Sequence, residues 1–353
     1  MKRKMLLVPL ALLLFVSLVA CAAPAPAPAP TPAPAPAPAP KPMEVIEWTL
    51  DTYFPPPPAI YVSVSTQGVC DRINARLEGR FVITPVYGSS LGVKGPDVAT
   101  ALGEGAFEAD YVAFPYLAGD IPVLGAIGLP ALLRNNFEGF AAHDVVTPYY
   151  RSELEKRNIK LIGSPYLFPR QVVWSKQPLR ETGDFKGLTF RGFSPEHTML
   201  LDELESIVIS ISMPEVYTAL ERGMLDAILG STASAQAVSA WEVLDYGIDV
   251  TFALADSGLI VNKDAWEALP AEYQLVITEE ANRTATELNY KSIMEEEKGW
   301  AMLAEKGITK ITPSPQMFED MVKVAGPVWD IWAQEKAGVA ADALAWIRVL
   351  LNR

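Results

Sequence analysis

The stretch EYQLVITEEANRTATELNYKSIMEEEKGWAMLAEK, residues 272–306, contains no proline and one glycine, Gly299, and it predicts one long helix. A helix of about 30 residues would be roughly 45 Å long, which is more than most single lobes need. Such a helix can contact two lobes at once. We therefore predict that it braces two parts of the chain. The acidic run at 295–297 is interpreted as a solvated face of this helix.

Strand-like and helix-like stretches alternate along the rest of the chain. Apolar runs and alternating patterns predict strands at residues 45–50, 80–87, 109–114, 158–166, 170–175, 188–191, 206–211 and 225–229. Helices are predicted at 62–77, 95–107 and 212–224. The last of these opens with Ser212 and Glu215 at the spacing of a capping box and with Pro214 in its first turn. This alternation is typical of an α/β fold.

The N-terminus has the layout of an export signal. Three basic residues at 2–4 precede an apolar run at 5–16, and small residues then lead to Cys21. The run is too short for a membrane span, which needs about 20 apolar residues. The ending Leu-Val-Ala-Cys resembles a lipobox, so residues 1–20 are predicted to be a lipoprotein signal and Cys21 to be lipidated. The alternative is an ordinary cleaved signal with a cysteine nearby.

Residues 22–42 alternate alanine and proline, which removes every second amide donor and any apolar face. Such a segment is expected to be an extended, polyproline-like tether. Together with Cys21 it forms the predicted spacer at 21–43. The chain from residue 44 onward is long enough for two lobes with a sizeable core.

Composition excludes several classes of function. The formal net charge of −13 argues against a nucleic-acid partner and against general attraction of anions. The second cysteine, Cys70, has no disulfide partner if Cys21 is lipidated, and it is interpreted as a small buried hydrophobe. Two isolated histidines, His143 and His197, cannot build a His/Cys metal site, although carboxylates can hold Ca²⁺ or Na⁺. We predict no cofactor and no metal site.

One short motif points to a different class of protein. Gly88-x-Ser90-x-Gly92 matches the nucleophile elbow of serine hydrolases, and a predicted strand precedes it. The hydrolase interpretation needs an acid and a histidine downstream, and neither histidine has a recognisable setting. A turn that leads into a helix explains the same residues.

The stretch DFKGLTFRGF, residues 184–193, ends a predicted strand with Arg191 and turns at Gly192. Alone, Arg191 is a solvated charge at a strand end. Four other segments stand in order around it: LEGRFVITPVYGSSLG at 77–92, GLPALL at 128–133, MPEVYTALERGMLDA at 213–227 and VNKDAWEALPAEYQLVI at 261–277. The ordered set resembles the solute receptors of TRAP transporters, the DctP-type extracytoplasmic binding proteins.

The resemblance implies an α/β, two-lobed periplasmic-binding-protein type II-like fold with a long helix bracing both lobes. Lobe I would comprise 44–167 with 254–297, and lobe II 168–253 with 298–353. The lobes would close over one small carboxylate, held by Arg191 with Arg170 as a second basic residue. A planar guanidinium clamps a carboxylate through two parallel charge-assisted bonds. Binding breaks no covalent bond, so the chain is not expected to be an enzyme.

The predicted pocket departs from the pattern of that family. Gly230 stands where an asparagine often bonds the ligand, and the hydroxyls of Ser231 and Thr232 are nearby. Apolar or aromatic residues stand at other places where ligand contacts often lie. The predicted contacts of this kind are Tyr53, Phe114, Tyr116, Phe193 and Met213. They favour a ligand that is less polar than a sugar acid or a dicarboxylate.

The resulting hypothesis is a lipid-anchored, extracytoplasmic receptor that delivers a small organic acid to the membrane permease subunits of a TRAP transporter. Three alternatives are open at this point. They are a receptor for an ABC importer, a receptor that signals to a histidine kinase, and an anchored serine hydrolase that uses Ser90. The sequence leaves open whether the receptor lies in a periplasm or on a cell surface.

Overall fold

Two β-sheets organise the chain, in a computed structural model that describes residues 45–192, 194–211 and 215–353. The strands of the first sheet are, in spatial order, β2 (Phe81–Tyr87), β1 (Ile46–Thr52), β3 (Ala109–Ala113), β10 (Asp256–Asn262) and β4 (Ile159–Leu167). β1 pairs in parallel with β2 and β3, whereas β10 runs antiparallel to β3 and β4. The carboxyl ends of β1, β2 and β3 therefore lie together, on the same side of the first sheet.

The second sheet has the same mixed character. Its strands are, in spatial order, β11 (Thr309–Ile311), β9 (Tyr246–Ala253), β5 (Gln171–Ser175), β8 (Ala227–Gly230), β6 (Thr189–Arg191) and β7 (Ile207–Ile209). β6 is parallel to β7 and β8, and β5 is antiparallel to β8 and β9. The chain crosses between the sheets from β4 to β5 and returns from β9 to β10. These two short connections are the natural places for a hinge.

The described helices cover the faces of both sheets. They are α1 (Tyr61–Arg76), α2 (Val98–Gly103), α3 (Asn136–Glu155), α4 (Pro195–Glu203), α5 (Val216–Glu221), α6 (Thr232–Ala237), α7 (Lys263–Glu267), α8 (Ala271–Glu305), α9 (Pro315–Lys336) and α10 (Gly338–Leu351). None of the helices in the described ranges combines the length and the apolar character that a membrane span needs.

The prediction of one long helix is confirmed by α8, which has 35 residues. Its first half lies on the side of the first sheet, where Glu280 accepts bonds from Arg72 at 2.7 Å and from Arg76 at 2.9 Å. Its second half lies on the second sheet, where the rings of Trp300 and Trp174 are 4.7 Å apart. One rigid rod thus contacts both sheets, which explains the length without proline.

Most of the predicted local elements are confirmed, including the strands that became β1 to β8 and the helix that became α1. The predicted helix at 95–107 is shorter, because it consists of a 3-10 turn at Gly95–Asp97 followed by α2. Of the predicted helix at 212–224, residues 212–214 lie outside the described residues, and α5 is shorter than the remainder, since it spans Val216–Glu221. The buried position of Cys70 is also confirmed, and burial raises the pKa of its thiol to about 12.

The C-terminal helices contact elements of both predicted lobes. The boundaries of the two lobes stay a prediction. α9 packs against α4, beside the second sheet, whereas α10 packs against α3 and the 3-10 helix Pro122–Gly128. Trp329 of α9 donates from its indole nitrogen to the carbonyl oxygen of Pro130 at 2.8 Å. Residues 315–351 therefore touch elements on both sides of the molecule.

Candidate functional site

Arg191 is the last residue of β6, and its guanidinium has few internal partners. Its Nε donates to the carbonyl oxygen of Ile211 at 3.1 Å, just beyond the end of the neighbouring strand β7. The side chain is only half-buried. Among the described residues, no carboxylate lies within 4.0 Å of its guanidinium nitrogens. Arg191 therefore presents a positive charge with free donors at the carboxyl edge of the second sheet.

The strand directions place this edge where small ligands usually bind in α/β proteins. Arg191 follows a strand that is parallel to β7 and β8, so three carboxyl ends lie together. Ligands in such sheets bind outside the carboxyl ends of the strands. On the first sheet, Tyr53 directly follows β1 and Tyr116 ends the 3-10 turn that follows β3.

One buried contact joins the sequence after Arg191 to the first-sheet side. His197 of α4 lies 3.1 Å through Nε2 from the carbonyl oxygen of Gly128, at the end of the 3-10 helix after β3. Burial lowers the pKa of His197, so its ring is neutral at pH 7. α4 therefore links the carboxyl ends of the strands around Arg191 in the second sheet to the segment that follows β3 in the first sheet.

Arg170 lies in a different environment, in a network of internal ion pairs just before β5. Its Nε donates to Glu296 Oε1 at 2.8 Å, and its Nη2 donates to Asp249 Oδ1 at 2.7 Å and also to Glu296. Its Nη1 donates to Thr251 Oγ1 at 3.3 Å. Every side-chain nitrogen of Arg170 thus has an internal acceptor. A ligand carboxylate would have to displace these acceptors, so its ligand role stays a prediction that these contacts do not favour.

The electrostatics of this network are those of a structural cluster. Burial would lower the pKa of Arg170, but the charges and hydrogen bonds of Glu296 and Asp249 raise it above its ordinary value. Burial would likewise raise the pKa of Asp249, but Lys310 and Arg170 together lower it. Lys310 lies 2.8 Å from Asp249. Arg170 and Asp249 are therefore both charged at neutral pH and held together by these ion pairs.

The interpretation of residues 295–297 as a solvated helix face is wrong for Glu296. This residue is buried on α8 and forms the ion pair with Arg170, whereas the neighbouring Glu295 pairs with Lys298 on the surface. Three consecutive helix positions point in different directions, so a run of charges need not share one environment. Glu296 and Asp249 were missed because their partner lies far away in the sequence, 126 residues before Glu296.

The predicted aromatic contacts fall into two groups. The rings of Tyr53 and Tyr116 are 5.1 Å apart in an edge-on arrangement, and Tyr116 is 47% exposed. Burial raises the pKa of Tyr53, so its hydroxyl is neutral. Phe114, in contrast, is fully buried in the core, with its ring 5.3 Å from that of Tyr150. The 3-10 turn Phe114–Tyr116 sends Phe114 inward and leaves Tyr116 at the surface, so the predicted ligand role of Phe114 stays a prediction that its burial in the core does not favour.

The polar positions after β8 are also engaged within the fold. The carbonyl oxygen of Gly230 accepts a bond from Trp174 Nε1 at 3.0 Å, and a Cβ on Gly230 would come within 2.8 Å of the Ser234 Cβ. An asparagine therefore does not fit here, which explains the glycine. Thr232 is buried and packs closely against Gly299 of α8. A Cβ added to Gly299 would lie 2.3 Å from the hydroxyl oxygen of Thr232. Ser231 caps α6 by accepting from the amide of Ser234.

Three predicted positions, Phe193, Met213 and Cys21, lie outside the described residues. Of the remaining predicted contacts, Arg191 is half-buried at the end of β6, Tyr116 is exposed, and Tyr53 is partly buried against the core. Within the described ranges, no group of three or more histidine, cysteine or acidic side chains is placed to hold a metal ion.

The nucleophile-elbow motif does not form a hydrolase site. Ser90 is exposed and donates its hydroxyl to the carbonyl oxygen of Tyr87. His143 instead lies 3.0 Å from Asp256 Oδ2, which also accepts from Tyr150 at 3.0 Å. Gly88 and Gly92 both have positive φ, as a turn requires. The residues Gly88–Gly92 are therefore a turn after β2.

Comparison with known proteins gives one family. The model of the bacterial extracellular solute-binding protein, family 7 (DctP), matches residues 63–336. A monocarboxylate 2-oxoacid-binding periplasmic protein from Nostoc is 26% identical over 319 residues, covering 83% of this chain and 80% of the relative.

Two solved structures have a similar fold. A Bordetella pertussis extracytoplasmic solute receptor binding pyroglutamic acid has 23% identity and a TM-score of 0.73, over 86% of this chain and 99% of its own. A TRAP periplasmic solute-binding protein from Ochrobactrum anthropi has 16% identity and a TM-score of 0.79, over 88% and 97%. The two-lobed α/β prediction is confirmed by these similarities.

Proposed function

Since the chain belongs to the family of bacterial extracellular solute-binding proteins, family 7, we propose that it is an extracytoplasmic receptor that delivers a small organic acid to a TRAP-type transporter. The observation that carries this proposal is Arg191, a half-buried arginine at the carboxyl end of β6 with no internal carboxylate partner among the described residues. A guanidinium in that state is suited to clamp a carboxylate through two parallel bonds.

The ligand proposed is a monocarboxylate with a compact, weakly polar body. Arg170 is engaged by Glu296 and Asp249, so a single arginine is left for the ligand. Gly230 offers no side chain to bond a second polar group, and it has no room for one. The rings of Tyr53 and Tyr116 supply an aromatic surface that suits an apolar ligand body. Relatives named for 2-oxoacids and pyroglutamic acid bind acids of this size.

Closure of two lobes would bring the ligand between Arg191 and the aromatic pair. The proposed lobes are 44–167 with 254–297 and 168–253 with 298–353, each containing one sheet. The connections from β4 to β5 and from β9 to β10 would bend, while α8 stays continuous. Closure would exclude water and strengthen the ion pair.

The proposed partners are the membrane permease subunits, and the proposed anchor is a lipid on Cys21 followed by the alanine- and proline-rich tether at 22–42. A single acyl-modified cysteine at the mature N-terminus would keep the receptor close to its permease. Intact-mass measurement of the membrane fraction tests this anchor. A diacylglyceryl addition that disappears in Cys21→Ser is expected, and an unmodified soluble product in the wild type would contradict it.

The experiment that tests the proposed function is a thermal-shift panel on the mature receptor. The panel contains pyroglutamate, short 2-oxoacids, malate, glucuronate and the neutral amide of each monocarboxylate. We expect stabilisation by one or more monocarboxylates and none by the matching amides, because the amide removes the charge that Arg191 binds. Stabilisation only by malate or glucuronate would overturn the monocarboxylate class, and stabilisation by no acid would overturn the proposed function.

A further inference from the structure

We propose that Asp51 and Asp110 form a buried site that holds one proton between two carboxyl groups at neutral pH. Asp51 lies on β1 and Asp110 on β3, and the two residues are register partners on adjacent parallel strands. Register partners send their side chains to the same face of a sheet. Both residues are 1% exposed. Two carboxyl groups are therefore buried side by side.

The outer neighbours in the sheet provide no counter-charge. On one side Asp51 is in register with Val86 of β2, and on the other side Asp110 is in register with Ile260 of β10. The four residues make a row across the sheet with apolar side chains at both ends. No lysine, arginine or histidine of the described residues lies within ion-pair distance of either carboxylate.

Each carboxyl group also has an oxygen without a partner. Oδ1 of Asp51 and Oδ1 of Asp110 are both buried and accept no hydrogen bond from any described group. Two ionised carboxylates in this position would bear a large desolvation penalty and repel each other. One proton relieves both effects, because it removes one charge and supplies a donor between two acceptors. The proton belongs to the pair rather than to one residue.

The direction of the pKa values agrees with this geometry. Burial raises the pKa of Asp51, although a hydrogen bond from the backbone of Thr52 opposes the rise. Burial also raises the pKa of Asp110 well above its ordinary value, and the neighbouring Asp51 charge raises it further. Both directions favour one retained proton on the pair.

Other titratable or charged groups near the pair do not neutralise it. Tyr53 directly follows β1, and burial, with the charges of Tyr116 and Asp110, raises its pKa. Glu108, two residues before Asp110, is engaged by the amide of Thr49 at 2.7 Å, and Glu47 on β1 is exposed. Tyr61, at the start of α1, and Tyr116 are neighbours of Tyr53.

The position of the pair gives it a consequence for the receptor. β1 leads directly into Tyr53, and β3 leads into the turn that carries Tyr116. A second negative charge between the two strands would repel the first and loosen this edge. The folded-state pKa is raised, so the stabilisation is complete below the ordinary value of 3.8 and is lost as pH rises through the raised pKa. The fold should therefore weaken toward alkaline pH.

Asp110→Asn, Asp51→Asn and the exposed control Asp144→Asn, made in the mature receptor, test the proposal by urea unfolding at a series of pH values. Asparagine keeps the size of the side chain and cannot ionise. We expect the free energy of unfolding of the wild type and of Asp144→Asn to fall as pH rises from neutral, and that of both pair variants to fall less. Equal pH slopes in the wild type and in both pair variants would overturn the proposal.

Infrared spectroscopy of the wild type at neutral pH gives a readout that does not depend on the variants folding. A C=O stretch of a protonated carboxylic acid is expected, and it disappears at alkaline pH. Absence of that band at neutral pH would overturn the shared proton. Addition of Na⁺ or Ca²⁺ tests whether the two carboxylates bind a cation instead of a proton. If either cation stabilised the wild type at neutral pH but not Asp110→Asn, the pair would bind a cation and the proposal would be overturned.

Discussion

Two arginines, Arg191 at the end of β6 and Arg170 just before β5, have the same predicted role but different surroundings. Arg170 has an internal acceptor for each side-chain nitrogen, and three of its bonds go to buried or half-buried carboxylates. Within the described part of the chain, the side chain of Arg191 makes one internal bond, to the carbonyl oxygen of Ile211. A charge whose donors are already satisfied stabilises the fold, whereas a charge with free donors is available to a ligand. The difference supports the proposal that Arg191 clamps the ligand.

The aromatic residues repeat this contrast. Phe114 and Tyr116 belong to the same 3-10 turn, yet Phe114 is fully buried and Tyr116 is about half exposed. Residue type and position in the sequence suggested a ligand contact for both. Replacing Arg170 or Phe114 should therefore affect the stability of the fold. Replacing Arg191 or Tyr116 should affect ligand binding.

The largest effect on stability is expected for Phe114→Ala. Truncation removes a ring from the core beside Tyr150 and leaves a cavity, which costs about 3 to 5 kcal/mol. Urea unfolding measures this loss. Tyr116→Ala is the matched control, and its free energy of unfolding should change by less than about 1 kcal/mol. Equal losses in the two variants would show that the inward and outward positions are wrongly assigned.

Arg170→Met should come next, with a loss of about 3 kcal/mol, because Glu296 and Asp249 are left without their shared cation. Arg191→Met should leave the free energy of unfolding almost unchanged, since no carboxylate of residues 45–192, 194–211 or 215–353 forms an ion pair with it. Chemical unfolding of the two variants side by side makes the comparison. A larger loss for Arg191→Met than for Arg170→Met would reverse the roles assigned to the two arginines.

Gly230→Asn should destabilise the fold by about 1 to 3 kcal/mol, because its Cβ would overlap Ser234 in the first turn of α6. Gly326→Asn on α9 is the control, as a Cβ there meets no atom within 4 Å. Thermal unfolding measures both. If Gly230→Asn were as stable as the control, the exclusion of an asparagine from this pocket would no longer hold.

The smallest predicted effect is on the free energy of unfolding at acidic pH. Arg170 and Lys310 lower the pKa of Asp249, so its contribution is present above the ordinary value of 3.8 and is lost as pH falls through the lowered pKa. Asp249→Asn should therefore reduce the loss of stability between neutral and acidic pH. The free energy of unfolding at several acidic pH values measures this. An unchanged acid slope would mean that Asp249 is not ionised in the folded protein.

Much of the fold could be predicted because the sequence patterns that indicate these strands and helices lie within each element itself. Alternation and turn residues are enough for β1, α1 and β2, and the absence of proline is enough for α8. β9 and β10 were not predicted, since every residue of Asp256–Asn262 is buried and the strand has no alternation. Such a strand is defined by its two neighbours in the sheet, which are distant in the sequence.

The candidate site was predictable only in part, for the same physical reason. The sequence identifies Arg191 by its motif, but it does not say whether an arginine already has a partner. The pairing of Arg170 with Glu296 and the inward turn of Phe114 both depend on long-range packing. The proton-sharing pair likewise depends on the register of β1 with β3. These features become visible only once the strands are placed.

The most direct test of the central claim is isothermal titration calorimetry of the mature receptor with the best monocarboxylate from the thermal-shift panel. Arg191→Lys is compared with the wild type and with Arg222→Ala, an exposed arginine after α5. Lysine keeps the charge but loses the two parallel bonds. We predict that Arg191→Lys binds at least about tenfold more weakly, a loss of about 1.4 kcal/mol or more, and that Arg222→Ala binds normally. Undiminished affinity in Arg191→Lys would contradict the clamp.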